Sequence, residues 1–299
     1  MSDSVRLHAY QAALEQVCPG QVVCDLNAGL GLYSLMALRA GAERVYAIEN
    51  DREILELAMR IMLRNDIAPD RFIALDGPST DVELPEPAGV IVADVLADAE
   101  LGRNVAGLLE DARARLAAPD AVFVPTELTL YAALTRPRAF KGACEFWDAD
   151  LFVKHGIDFG DVVPELREHA HILMLRDDEI VSAWEPIQRI RPAEPSVDES
   201  VEIVELAVRK PGKVDGVCLA IDATLIDGVR ITTLPEVQDP DDRPKHTFHP
   251  LREERTCGEG DVIELIQPGS PANAFDVTSK VKVVPAPRVA ERREARGAD

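Results

Sequence analysis

The stretch VVCDLNAGLGLYSLMALRAGAERVYAIEND, residues 22–51, holds the side chains best spaced to do chemistry. Asp25 closes a short apolar run, Gly29 and Gly31 follow in a turn, and Glu49 closes the next apolar run 18 residues after Gly31. In an open α/β sheet, ligands sit over the carboxyl ends of the strands. Glycine there lets the backbone approach them closely, and an acid ending the second strand can accept hydrogen bonds from both ribose hydroxyls. The pattern points to a nucleoside-containing cofactor, although an isolated Gly-x-Gly is equally what a tight strand-to-helix turn needs with no ligand at all. Charge separates the candidates. Ser34 could serve loosely as the third small residue of a dinucleotide fingerprint, but an acid at position 25 repels a pyrophosphate and favours the sulfonium and ammonium groups of S-adenosylmethionine. A nicotinamide-dependent enzyme is therefore the weaker reading.

Other residue types narrow the field. The 299 residues carry 53 Asp and Glu against 32 Lys and Arg, a net charge of −21, which repels a phosphate backbone and argues against nucleic-acid binding. No run approaches the ~18 apolar residues a membrane span requires, so no membrane association is expected. Cys18, Cys24, Cys144, Cys218 and Cys257 include no CxxC pair, so neither a disulfide framework nor a metal site is signalled; Cys24, inside a strand, reads as buried and inert. Met1–Tyr10 lacks an apolar h-region, and cytoplasmic residence is the expectation. His246 and His249 could shape a substrate pocket or take a proton near neutral pH, while the commoner meaning of such a pair is two sheet-edge histidines. The acidic clusters at 176–179, 194–202 and 239–242 read as solvated turns, and Trp147 and Trp184 as core or dimer-contact aromatics.

These residues need a scaffold. Strands are predicted at Gln21–Leu26, Arg44–Ile48, Phe72–Leu75 and Gly89–Ala93, with helices at Leu32–Ala40, Asp51–Asn65 and near Leu101–Leu116. Ile54, Leu57, Ala58, Ile61 and Met62 mark the inward face of the second helix. The alternation implies a parallel, doubly wound α/β sheet. After Pro125 the texture changes: Val122–Leu134, Ala170–Leu175, Val201–Val208, Val217–Ile221, Val262–Ile266 and Lys280–Val284 read as strands of an antiparallel barrel or sandwich, with little helix. Gln188–Ser200 reads as a loop and Pro285–Asp299 as a charged tail. The implied domains are 1–124, Rossmann-like, and 125–284, a β-barrel for substrate and dimerisation.

Taken together, these segments resemble the protein arginine methyltransferases, class I enzymes joining a Rossmann-like S-adenosylmethionine domain to a β-barrel. The resemblance runs through Asp3-x-x-Arg6-x-x-x-Tyr10, where the family's Arg holds the cofactor carboxylate, and through CDLNAGLGLYSLMALRAGAERVYAIE, with Glu49 as the ribose acid. DGPSTDVELP (76–85) is similar to the adenine-side strand and turn, with Thr80 at the position of a family acid. DAVFVPTELTLYAAL (120–134) resembles the crossing into the barrel, and EFWDADLFVKHGIDFGDVV (145–163) the dimerisation arm. The resemblance implies Arg6, Asp25, Asn27, Gly29, Gly31, Glu49 and Thr80 as cofactor-binding residues, and a homodimer.

Departures fall at the chemistry. The family holds its guanidinium between two Glu side chains; VADVLADAELGRN (92–104) matches that loop with Asp94 and Arg103 at the two positions. At ~4 Å and an effective ε of ~20, Arg103 turns an attraction of ~4 kcal/mol for a guanidinium into a comparable repulsion. A loop slid by three residues offers Glu100 instead, with Asp98 nearby. Asn27 stands at the first glycine position of the family pattern, and Asn tolerates left-handed angles better than other non-glycine residues. RPKHTFHPLREE (243–254) occupies the place of the family's Thr-His-Trp loop without the Trp, and the helix that precedes the Asp3 motif in the family is missing, which implies a more open site. The sequence thus implies an S-adenosylmethionine-dependent methyltransferase with Asp94, Glu100, Arg103 and His246 around the reacting atoms. Arg103 favours an acceptor other than a typical protein arginine, a small molecule or a peptide or protein with an acidic or neutral group, while the resemblance implies arginine-type N-methylation; both are kept. The alternative is an inactive methyltransferase-like scaffold.

Overall fold

The computed structural model describes residues 3–96, 104–147, 151–194, 198–200, 203–235, 245–266 and 281–284. A helix, α1 (Asp3–Val17), precedes a repeating strand–helix series: β1 (Val22–Leu26), α2 (Leu32–Arg39), β2 (Arg44–Glu49), α3 (Arg52–Arg64), β3 (Phe72–Asp76), β4 (Ala88–Ala93), α4 (Val105–Arg115) and β5 (Ala117–Val124). The five strands pair in parallel in the order β3-β2-β1-β4-β5. β1, β2 and β4 are nearly continuous apolar runs because both faces of a parallel sheet are covered. The chain winds from β1 toward β3 and then returns to lay β4 on the other side of β1, so the strand order reverses there and opens a crevice at the carboxyl ends of β1 and β4.

Two elements differ from expectation. Residues 3–17 form a helix: Tyr10, Ala13, Leu14 and Cys18 are fully buried at helical spacing, and the helix packs on α2. On α3 the sheet-facing stripe is Leu55, Ala58 and Met62, while Ile54 and Leu57 are 36% and 39% exposed. Asp51 caps this helix, accepting from the Glu53 and Ile54 amides at 2.9 and 3.2 Å, and that fixes which face turns inward.

The second half is antiparallel and richer in structure than predicted. β6 (Glu127–Thr135) is followed by α5 (Arg138–Glu145), α6 (Leu151–His155), α7 (Val162–Glu168), β7 (His171–Met174), β8 (Glu185–Ile190), β9 (Asp198–Ser200), β10 (Ile203–Ala207), β11 (Gly212–Ile226), β12 (Val229–Thr232), β13 (Lys245–Cys257), β14 (Val262–Ile266) and β15 (Val281–Val284). One seven-stranded sheet runs β7-β13-β11-β6-β8-β9 with β12 on β11, and a three-stranded sheet runs β10-β14-β15. Among the described residues the strand paths are open and no closed barrel forms. The expected 188–200 loop contains the end of β8 and all of β9, 243–254 contributes most of β13, and three helices occupy 138–168. One contiguous apolar core runs from Tyr10 through both halves to Leu265, so the parallel sheet is braced by β11 through β5 and α1.

Candidate active site at the carboxyl edge of the parallel sheet

The turn leaving β1 is built from left-handed backbone: Asn27, Gly29 and Gly31 have φ of 56°, 54° and 76°. Asn27 thus does what the missing glycine would do. Gly31 caps the start of α2 in the left-handed region, where glycine carries no Cβ strain. The Gly29 amide donates to Glu49 Oε2 at 2.9 Å and the Asp51 amide to Glu49 Oε1 at 3.0 Å. One carboxylate therefore fastens the glycine turn to the end of β2, and each of its oxygens keeps a lone pair for a further donor.

Asp25 lies beneath this turn instead of at its rim. It is 1% exposed and accepts from Ser34 Oγ at 2.6 Å, so the residue considered as a third fingerprint position is its partner. Burial pushes its carboxyl up to about 6, against the opposing Ser34 hydrogen bonds and with a further upward push from the Glu49 charge. Cys24 beside it is buried, and burial raises its thiol, as an inert strand cysteine requires.

Across the crevice, the chain leaves β4 at Asp94. Its Oδ2 pairs with Arg6 Nη2 from α1 and accepts from Tyr33 Oη at 2.9 Å. Tyr10 Oη approaches Asp94 Oδ1 at 3.5 Å and the Ala93 carbonyl at 3.4 Å, and its ring packs on Tyr33 with centroids 4.3 Å apart. Burial drives the Tyr10 phenol well above its ordinary range, so it serves only as a protonated donor. The cluster joins residues 88 and 61 positions apart, and Tyr33 carries no spacing signal; its half-buried place in the first turn of α2 is the only cue.

Thr80 is exposed beyond β3 and donates to Asp81 Oδ1 at 3.0 Å, while the Gly77 amide ties that strand end to the Glu49 carbonyl at 3.1 Å. Glu100, Arg103 and Asp98 lie outside the described residues. His246 lies on β13: it is 1% exposed, its Nε2 donates to the Thr233 carbonyl at 2.9 Å, and its ring stacks on Trp184 at 5.6 Å. Burial lowers its imidazole to about 4. Trp184 in turn lines a separate cleft of about 240 Å³ with Ser182, Arg209 and Lys210. His249 also lies on β13, opposite Val217, and is 9% exposed.

The crevice therefore presents Glu49 on one wall, Asp94 on the other and Asp25 below, with Arg6 the cation bound to Asp94. Such a donor set suits a nucleoside that carries a cation and does not suit a pyrophosphate.

Comparison with known proteins agrees. The family described as ribosomal protein L11 methyltransferase (PrmA) matches residues 6–123. Over 151 residues the chain is 30% identical to the probable protein arginine N-methyltransferase 6 of Arabidopsis thaliana, covering 49% of this chain and 34% of that protein. It is 26% identical over 189 residues to protein arginine N-methyltransferase 6 of Xenopus laevis, covering 62% and 54%. Over these stretches the chain is similar to protein arginine methyltransferases. It spans about a third to a half of the length of the curated relatives it matches. The fold extends the likeness: the Trypanosoma brucei PRMT1 enzyme–prozyme heterotetrameric complex with AdoHcy superposes with a TM-score of 0.68 over 90% of this chain and 87% of that one at 18% identity. Arabidopsis thaliana protein arginine methyltransferase 10 superposes with a TM-score of 0.65 over 88% and 84% at 19% identity. The two-part α/β architecture is thus that of the arginine methyltransferases, with the parallel sheet carrying the crevice.

Proposed function

We propose that this chain is an S-adenosylmethionine-dependent N-methyltransferase acting on arginine in a peptide or protein. The observation that carries the reading is Glu49, held by the Gly29 and Asp51 amides at the end of β2 and facing Asp94 across the switch point of the sheet. In this reading Glu49 takes the ribose hydroxyls, the backbone of Asn27–Gly31 lines the amino-acid end, Arg6 takes the methionine carboxylate and Thr80 lies on the adenine side. Asp25 sets a negative potential under the turn. When bound, the cofactor supplies an electrophilic methyl group; the protein's part is to align the acceptor nitrogen and remove one proton. Asp94 is the acid that orients the guanidinium and accepts that proton, with Glu100 as the second carboxylate and Arg103 tuning the charge between them. His246, kept neutral by burial, has no step in this scheme.

The test is a calorimetric titration with S-adenosylmethionine, with NAD for comparison. Glu49→Ala removes two hydrogen bonds to a charged acceptor, and affinity should fall at least tenfold. An unchanged dissociation constant would place the cofactor elsewhere; tighter binding of NAD would defeat the assignment outright.

The reading extends to the domains and the assembly: a cofactor domain over 1–124, a substrate and dimerisation domain over 125–284, and a charged tail over 285–299. Support for a homodimer comes from exposed apolar side chains on the arm: Phe146, Val153, Ile157 and Phe159 are 46%, 80%, 47% and 40% exposed, and Trp147 packs between Phe146 and Phe159 at 5.2 and 5.3 Å. Phe159→Glu is expected to halve the molar mass measured by light scattering while leaving the circular dichroism unchanged. Cytoplasmic residence is supported by five free cysteines, and no described helix is long and apolar enough to cross a membrane.

A further inference from the structure

We propose that Tyr33 is a positioning residue that locks Asp94 onto Arg6, so that the chain's own acid and the carboxylate of a bound cofactor compete for one guanidinium. The inference rests on the reading of the crevice as an S-adenosylmethionine site and concerns how that site is regulated. Tyr33 stands in the first turn of α2, directly after the glycine turn, and its hydroxyl donates at 2.9 Å to Asp94 Oδ2, the same oxygen that pairs with Arg6. Tyr10, fully buried, packs on the Tyr33 ring and points its hydroxyl toward the other Asp94 oxygen, so neither the phenol nor the carboxylate is free to swing. The Arg6 and Asp94 side chains are 29% and 16% exposed, which shields their attraction from solvent.

Arg6 comes from α1 and Asp94 lies just after β4, so their ion pair ties the first helix to the carboxyl edge of the sheet, where the proposed function places the methionine end of the cofactor. Arg6 meets Asp94 through Nη2, and in this proposal the cofactor carboxylate takes that same edge of the guanidinium, so that one carboxylate is exchanged for the other. That exchange subtracts from cofactor affinity. It also leaves Asp94 held by its tyrosines but without its cation, ready for the cation of an acceptor. Cofactor and acceptor binding are then positively coupled through a single guanidinium, and a coupling of this kind is reciprocal. Asp94 is a poor partner for an incoming arginine until the cofactor has drawn Arg6 away.

The experiment is calorimetric and needs no turnover. S-adenosylhomocysteine, which has the carboxylate, is compared with methylthioadenosine, which lacks it, on the wild-type chain and on Asp94→Asn, Tyr33→Phe, Arg6→Ala and Arg6→Ala/Asp94→Asn. Competition predicts that Asp94→Asn binds S-adenosylhomocysteine about tenfold tighter and that Tyr33→Phe, which keeps the charge and the ring, gains a few-fold. Methylthioadenosine should bind all the variants alike. In the Arg6→Ala background the gain from Asp94→Asn should vanish. A gain that persists there would mean simple charge repulsion and would overturn the proposal, as would a Tyr33→Phe affinity equal to wild type. Failure of both ligands to bind the wild-type chain would remove the underlying site and the proposal with it, whereas binding of both with flat variants removes only the competition. Circular dichroism of Tyr33→Phe, a deletion of one hydroxyl, guards against a folding artefact.

Discussion

Asp25→Asn is expected to make this protein more stable at pH 7.5 and to leave its stability nearly unchanged at pH 4. Asp25 is buried, and burial raises its carboxyl from the ordinary 3.8 to about 6. A folded-state value above the unfolded one means that the native chain holds this proton more tightly. Its favourable contribution is therefore complete below about 4 and is lost as pH rises through about 6. Near neutrality the native state carries a buried anion, a penalty of up to ~3 kcal/mol at ~1.4 kcal/mol per unit of displacement. Asparagine has the same shape, keeps an oxygen for the Ser34 hydroxyl and carries no charge, though its amide hydrogens need new partners, so ~1–2 kcal/mol should be realised. The melting temperature should rise by several degrees at pH 7.5, measured by scanning calorimetry. An equal rise at pH 4 would show that the gain comes from packing and not from charge. The same variant should bind S-adenosylmethionine more weakly, because the buried anion lies under the turn that receives the cationic end of the ligand. This is the expected trade between stability and function at a site that keeps an acid where a neutral residue would fold better.

The parallel half was legible in the sequence because its signals are local. β1 and β2 are apolar runs, Asp51 caps α3, and the turn between Asp25 and Gly31 needs left-handed residues wherever it occurs. The Glu49 contact to Gly29 follows from strand order alone, since consecutive parallel strands bring their carboxyl ends together. The Arg6–Tyr33–Asp94 cluster was not legible: it joins α1, α2 and the end of β4, and no spacing in the chain announces it. Tyr10, Ala13 and Leu14 do stand at helical spacing on the buried face of α1.

The antiparallel half hid its elements for physical reasons. β13 contains Pro250 and a charged run at 252–255, and β8 opens on Glu185-Pro186 and closes on Gln188-Arg189-Ile190, so neither alternates cleanly between apolar and polar. Val153 on α6 and Phe146 just after α5 are exposed, so these segments show no clean apolar stripe that marks an inward face. The burial of His246 has no local signal, since a polar residue in a Pro-containing, charged segment suggests solvent, whereas pairing with Leu173 on β7 and stacking on Trp184 bury it.

Gly216→Ala should give the largest loss of stability, about 3 kcal/mol or more, from the addition of a single methyl group. Gly216 lies on β11 where the pairing with β13 shifts register after Val214, and its neighbours are Thr135 on β6 and Pro250 on β13. A Cβ at this position would stand inside 3.0 Å of the His249 carbonyl oxygen and of two Phe248 ring carbons. Neither can retreat: the carbonyl belongs to the strand, and the Phe248 ring is fully buried against Phe140 at a centroid distance of 4.9 Å. Relief requires β11 and β13 to part, and overpacking that moves backbone costs ~1–3 kcal/mol or more. Gly142→Ala supplies the opposite sign, since Gly142 is exposed in α5 with nothing within 4 Å of an added Cβ; there alanine should stabilise by ~0.5–1 kcal/mol. Urea denaturation should therefore move the two midpoints in opposite directions, and an unmoved midpoint for Gly216→Ala would mean that the strands stand further apart than this packing requires. Because β11 also packs on β5 and α1, a displaced β11 should disturb the helix that carries Arg6, and S-adenosylhomocysteine affinity should fall in Gly216→Ala but not in Gly142→Ala.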